Sequence, residues 1–206
     1  MKLLVWEADK HIQANEFRVD DAEGFRSFWR DLQDKYMGFK IDFCYHNCDV
    51  PTEYMAEIDA RLLESCIETR LSPDKFSPAL GEYMLTPVTE ENYADFAALH
   101  DRVDPDMYWT SERLIKDISR WLIYLYEDGY VLLNLYSDIA EIFALEATDR
   151  NIRTALLSQA SQYAFEAGKS GVLYMVDDDA DVELEMVQSI GFAICGKYIA
   201  YQATVK

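Results

Sequence analysis

Positive charge is scarce in this chain. Lys and Arg total 19 against 38 Asp and Glu, a formal net charge of -19 over 206 residues. So acidic a surface repels phosphate backbones and anionic bilayers, which argues against a general nucleic-acid or membrane-surface binder. It suits cationic partners such as amines, polyamines or basic peptides, or it serves solubility alone. Long hydrophobic runs are missing too: none approaches the roughly 18 apolar residues of a membrane span. Cysteine is sparse and scattered, at Cys44, Cys48, Cys66 and Cys195, unlike a disulfide framework. Cys44, His46 and Cys48 stand close together in FCYHNCD, but a second Cys/His pair at set spacing is lacking, so no metal is expected. The opening MKLLVWEADKH meets acidic residues straight after a short apolar core, unlike a secretory leader. The expectation is a reduced, cytoplasmic protein.

Half of the residues are hydrophobic and 14% are aromatic, which marks a globular chain with a substantial core. The stretch SPDKFSPALG, residues 72–81, holds two prolines and a glycine and is the best boundary in the chain. It divides an N-terminal α/β region, 1–80, from a second domain, 81–206.

Periodicity supplies the elements. Before the boundary, KLLVWEA (2–8) reads as a strand, DAEGFRSFWRDLQDKYM (21–37) as an amphipathic helix and FKIDFCY (39–45) as a strand. PTEYMAEIDARLLESC reads as a helix opened by Pro51, and IETRL as a short strand. After it, the order is β-α-α-β-β-β-α-β-α-β. EYMLTPVT, TEENYADFAALHDRV and TSERLIKDISRW come first, then three strands in LIYLYEDGYVLLNLYSDIAEIFALEA with a turn at Asp128-Gly129. A helix over 154–167, the near-continuously apolar strand GVLYMV, the helix DVELEMVQSIG and the strand KYIAYQATV complete the chain.

Against this scarcity of cations, Arg150 and Arg153 stand together at one strand-to-helix junction, with no other Lys or Arg between Trp121 and Gly168. A helix start carries free N–H groups and the positive end of the helix dipole, so it favours anions. Two arginines add fork-shaped donors suited to phosphate. The same pair is also read as one solvated loop arginine and one arginine matched to a neighbouring carboxylate.

The element order and two local motifs resemble the GNAT superfamily of acyl-CoA-dependent N-acyltransferases, over about residues 82–206. The first motif is the family's phosphate loop, here RNIRTA from Arg150 to Ala155; the second is the helix ending at Ile190-Gly191-Phe192 before KYIAY. The resemblance implies an α/β (α+β) fold with a mixed, mostly antiparallel central sheet flanked by helices, plus the N-terminal α/β extension. It also implies acetyl-CoA as co-substrate. The pyrophosphate would lie at Arg150, Arg153, Thr154 and Ala155, and the pantetheine arm along the strand end from Leu145 to Ala147. Two departures stand out. The family's first loop glycine is Arg153, and the tyrosine that often serves as general acid is replaced by Val187. Residues 39–71 also overlay 171–203 without a gap, which suggests a degenerate GNAT-like half at the N-terminus or an unrelated extension.

N-acyl transfer requires a base for the amine proton and a donor to the departing thiolate. By resemblance the base is a glutamate on the strand before the loop. Glu141 is the choice over Glu146, since Glu146 falls where the loop begins, and five-residue spacing sends the two to opposite faces unless a bulge intervenes. For the acid, Tyr174 is preferred to Tyr198 or Tyr201. Tyr108 and Trp109 either shape the acceptor pocket or cap the core. The expected activity is acetyl transfer to a primary amine of a small molecule or peptide, with no nucleic-acid or membrane partner and room for a homodimer. The alternative is a catalytically silent module of the same fold that binds acyl-CoA or another protein.

Overall fold

The computed structural model describes residues 2–15, 17–79, 83–105 and 107–206. In chain order the elements are β1 (Lys2–Trp6), β2 (His11–Asn15), α1 (Ala22–Tyr36), β3 (Lys40–His46), α2 (Thr52–Glu57), β4 (Arg61–Leu71) and β5 (Thr86–Pro87). There follow α3 (Tyr93–Val103), α4 (Ser111–Leu114), β6 (Trp121–Tyr126), β7 (Gly129–Asn134), β8 (Ile139–Glu146), α5 (Arg150–Glu166), β9 (Gly171–Asp177), α6 (Asp181–Ser189) and β10 (Ala193–Thr204). They form a mixed α/β fold on a large, mostly antiparallel sheet flanked by helices. Among the described residues no helix is long and apolar enough to cross a membrane.

The chain separates into two compact units. The first takes Met1–Glu68, Asp177–Asp179 and Cys195–Lys206; the second takes Thr69–Val176 and Ala180–Ile194. The boundary expected between residues 80 and 81 lies outside the described residues.

In the first unit the strand order is β1-β2-β3-β10-β4. β1 and β2 are antiparallel, β2 and β3 parallel, and β10 runs antiparallel to β3 from Tyr198↔His46 to Thr204↔Lys40. The helix α1 makes the parallel crossover between β2 and β3, as such a pair requires. Asp21 caps α1, its carboxylate accepting from Gly24 N at 2.8 Å. Its stripe, Phe25 and Leu32, is buried against Phe17, Ile41, Phe43 and Met55, so the aromatic periodicity in this segment is core packing.

Sequence and structure differ here in two places. The strand β2 was not expected, because HIQAN carries too little apolar character to stand out. The helix expected over PTEYMAEIDARLLESC stops at Glu57, and Arg61 already begins β4. Asp59 adopts a left-handed conformation at φ 54° and turns the chain, which helix periodicity in the sequence does not reveal.

In the second unit β9-β8-β7-β6-β5 are adjacent in that order. The β6–β7 hairpin pairs Tyr126 with Gly129, so its two loop residues are Glu127 and Asp128, one position earlier than expected. A Cβ on Gly129 would come within 2.8 Å of both Ala147 Cβ and Glu146 O. Glycine is therefore what lets the end of β8 close over the hairpin.

One face of this unit packs under α5. Ile152, Leu156, Leu157 and Ala160 meet Val131, Leu133, Ile142, Val172 and Tyr174 there. The other face packs under α3, where Phe96 and Leu99 meet Ile123, Tyr130, Leu132 and Ala144.

Candidate active site

The site forms where β8 and β9 stop pairing. Their parallel register runs from Ile139↔Gly171 to Ile142↔Tyr174. Both strands continue beyond it, β8 to Glu146 and β9 to Asp177, so they part. The cause is visible on the next strand. Leu132 of β7 faces Ala144 and Leu133 faces Ile142, which leaves Phe143 as an extra residue. Such a bulge bends its strand and breaks the ladder locally.

The bulge also resets which face each side chain takes. Phe143 and Ala144 both pack on the α3 face. Glu146 stands opposite Tyr130, which packs there as well. Glu141 and Glu146, five apart, therefore share the α3 face. Tyr174 is in register with Ile142, and both belong to the core under α5. Glu141 and Tyr174 thus lie on opposite faces of the sheet and are not brought together. Glu146, although also on the α3 face, lies near enough for its charge to add to the rise of the Tyr174 phenol pKa, so it is the glutamate at the opening.

The helix α5 begins at Arg150, so RNIRTA is its first turn and a half and not a loop before it. Asp149 is the cap: its Oδ1 accepts from Asn151 N at 2.6 Å and Ile152 N at 3.4 Å. A carboxylate of the chain itself therefore occupies helix-start amides that would suit a bound anion. Arg150 is exposed. Thr154 Oγ1 donates to Arg150 O at 2.7 Å, Ala155 is buried in the core, and Ala147 lies against Gly129.

Arg153 turns back toward β8. Its Nη2 donates to Leu145 O at 3.2 Å and to Glu183 Oε1 at 3.1 Å. The same Glu183 oxygen accepts from Tyr174 OH at 2.5 Å. Arg153 Nε is buried without a hydrogen-bond partner among the described residues. A chain of contacts thus runs from the β8 backbone at Leu145, past the point of parting, through Arg153 and Glu183 to Tyr174, the last residue of β9 paired with β8.

Burial is the main cause of the unusual ionisation here. It raises the carboxyl pKa of Glu146, an effect that Arg153 opposes and Asp104 and Glu183 reinforce. It also raises the Tyr174 phenol well above its ordinary value, with the charge and hydrogen bond of Glu183 adding to it. Glu146 is therefore a strengthened base, while Tyr174 holds its proton tightly in this arrangement.

The remaining candidates have other surroundings. Val187 is fully buried in the core. Tyr198 and Tyr201 belong to the first unit, where Tyr198 OH donates to Cys44 Sγ at 3.1 Å. Trp109 joins an aromatic cluster, 5.0 Å from Trp121 and 6.4 Å from Phe143 between ring centres, and Tyr108 packs edge-on to it. No cluster of three or more His, Cys, Asp or Glu positioned for a metal occurs among the described residues.

Two residues central to the site, Asp149 and Glu183, were not singled out from sequence. For Asp149 the signal was available: an acidic residue directly before a helix start is a cap. Glu183 has none, since its role depends on where α6 lies in space.

Neither a protein-family model nor a curated protein matches the sequence. Solved structures do resemble the fold. A GCN5-related N-acetyltransferase from Sphaerobacter thermophilus matches with a TM-score of 0.70 at 14% identity, covering 99% of this chain and 76% of that one. A GCN5-related N-acetyltransferase from Kribbella flavida matches with a TM-score of 0.65 at 8% identity, over 94% of this chain and 80% of that one. A tandem GNAT protein from the clavulanic acid biosynthesis pathway matches with a TM-score of 0.64 at 13% identity, over 99% of this chain and 78% of that one. The likeness thus reaches past residues 82–206 into the first 80 residues. With the element order and the parted β8–β9 pair in place, this chain has the fold of the GCN5-related N-acetyltransferases.

Proposed function

We propose that this chain is an acyltransferase that moves an acetyl group from acetyl-CoA to a primary amine of a small molecule or peptide. The observation that carries the reading is the parting of β8 and β9 at the Phe143 bulge. It leaves unpaired strand edges beside a helix start that bears an exposed arginine.

The residues present fit an acyl-CoA once Arg153 leaves the edge of β8 and Asp149 releases the amides at the start of α5. The backbone from Leu145 to Ala147 would pair with an extended arm, and Arg150 would meet phosphate at the start of α5. Acetyl-CoA would supply the acetyl group as an activated thioester. The chain supplies the rest. Glu146, its basicity raised by burial, takes one proton from the ammonium so that the neutral amine attacks the thioester, and the second proton, lost on acylation, passes to the departing thiolate of coenzyme A. Asp101 and Asp104 raise the pKa of the nearby Tyr130 phenol after burial and Glu146 do so. That negative field on the α3 side draws a protonated amine toward Glu146.

Calorimetry with acetyl-CoA tests the reading. The expected result is micromolar binding that weakens by about tenfold or more in Arg150→Ala, the scale of one charge-assisted phosphate contact. No binding by any form of the protein would remove the proposal. A second reading, a catalytically silent module, is favoured by one specific feature: Asp149 and Arg153 occupy the chain's own anion and strand-edge sites. Thiol release with a panel of amines separates the two, since a silent module binds without turnover.

A further inference from the structure

We propose that Arg153 is a latch: in the cofactor-free protein its side chain holds the place along β8 that the acyl carrier must take, so that binding requires its displacement. The proposal rests on the acyl-CoA reading above and concerns the same cleft.

The geometry is specific. The Leu145 carbonyl lies on the stretch of β8 beyond its last pairing with β9. An incoming extended arm would use that carbonyl as an acceptor, and Arg153 Nη2 already donates to it. The guanidinium is held there by Glu183, and Glu183 is held in turn by Tyr174 OH. The three groups come from α5, α6 and β9, so the latch ties these elements to the edge of β8. It is not a perfect fit: Arg153 Nε stays buried and unsatisfied, which lowers the barrier to its leaving. The position explains why a glycine is not required at 153. A small residue there would leave the carbonyl open, and an arginine closes it.

Displacement changes more than access. Arg153 is the group that holds the Glu146 carboxyl pKa down against burial. When the guanidinium moves off, Glu146 becomes a stronger proton acceptor, so the base is strengthened as the donor arrives.

The test is calorimetric titration of the full chain with acetyl-CoA, comparing the parent protein with Arg153→Ala and Glu183→Gln. Glu183→Gln keeps the volume and removes the ion pair, so it serves even if Arg153→Ala folds poorly. The expected result is at least tenfold tighter binding in Arg153→Ala and a smaller gain in Glu183→Gln. Equal or weaker binding in both variants, with their circular dichroism unchanged, overturns the latch and leaves the acyl-CoA reading standing. Binding by none of the three proteins overturns both.

Discussion

At the scale of single residues, Glu146 carries the chemistry proposed for the cleft. Its carboxyl must be ionised to accept a proton, and burial raises its pKa. Activity therefore rises with pH through that raised pKa and is lost below it. Glu146→Gln is expected to lower turnover by about 10²–10⁴-fold, the usual worth of a positioned base, with acetyl-CoA affinity nearly unchanged. A pH–rate profile of the parent beside this variant checks both parts: the acid limb disappears in the variant. Glu141, preferred from sequence, serves as the control. Its row on the sheet, Asn134–Glu141–Leu173, lies within the paired part of β8 and β9, so Glu141→Gln should leave the profile intact. Spacing by itself could not decide between the two glutamates. The deciding fact is an extra residue at Phe143, and a bulge leaves no mark in the local alternation of IFAL. Of the two sequence readings of Arg150 and Arg153, the arrangement matches the one with a solvated and an ion-paired arginine: Arg150 is exposed and Arg153 is held by Leu145 O and Glu183. Their difference comes from α6, far along the chain.

At the scale of elements, the tight fit between the β6–β7 hairpin and the end of β8 makes a second prediction. Gly129→Ala places a methyl 2.8 Å from backbone and side-chain atoms of Glu146 and Ala147. Neither neighbour is the far end of a flexible chain. A loss of about 1–3 kcal/mol is expected, as for overpacking generally, read from thermal or denaturant unfolding. Removing the helix cap with Asp149→Ala is expected to cost about 1 kcal/mol, because two amides at the start of α5 lose their acceptor. The strands β6 to β9 were legible because each alternates or runs apolar between clear turns. The start of α5 is not legible, because the resemblance makes RNIRTA a loop, although Arg, Ile and Ala sit well in a first helical turn once Asp149 caps it. The long β4 was half hidden for the opposite reason: YMAEIDARLLESC has helical spacing, and the turn at Asp59 that divides it is a backbone event.

At the scale of the whole molecule, the scarcity of cations persists as a pH property. Several phenols and thiols are kept neutral by burial. The Tyr93 pKa is pushed up to about 12, first by burial and then by Asp101. The Cys66 thiol rises to about 12 by burial and nearby Asp177, and Tyr45 and Tyr130 move in the same direction. In the unfolded chain the phenols ionise near pH 10 and the thiols near 8.5, on the order of their reference values. These groups therefore favour the folded state fully only below those values. Stability falls as pH rises toward 12, because the unfolded chain releases protons that the folded one retains. An alkaline titration followed by circular dichroism should show cooperative unfolding in that window.

The partnership of β10 with β3 has a consequence for synthesis. Gln202 and Asp42, hydrogen-bonded across that pair, are 160 residues apart in sequence. At a ribosomal pace of about 5–20 residues per second, roughly 8 to 32 seconds separate the emergence of the two strands. For that interval β3 leaves the ribosome with a bare edge, and the nascent first unit waits half-built for a strand not yet translated. Chaperone dependence, and losses to aggregation at high expression, should be set by that delay.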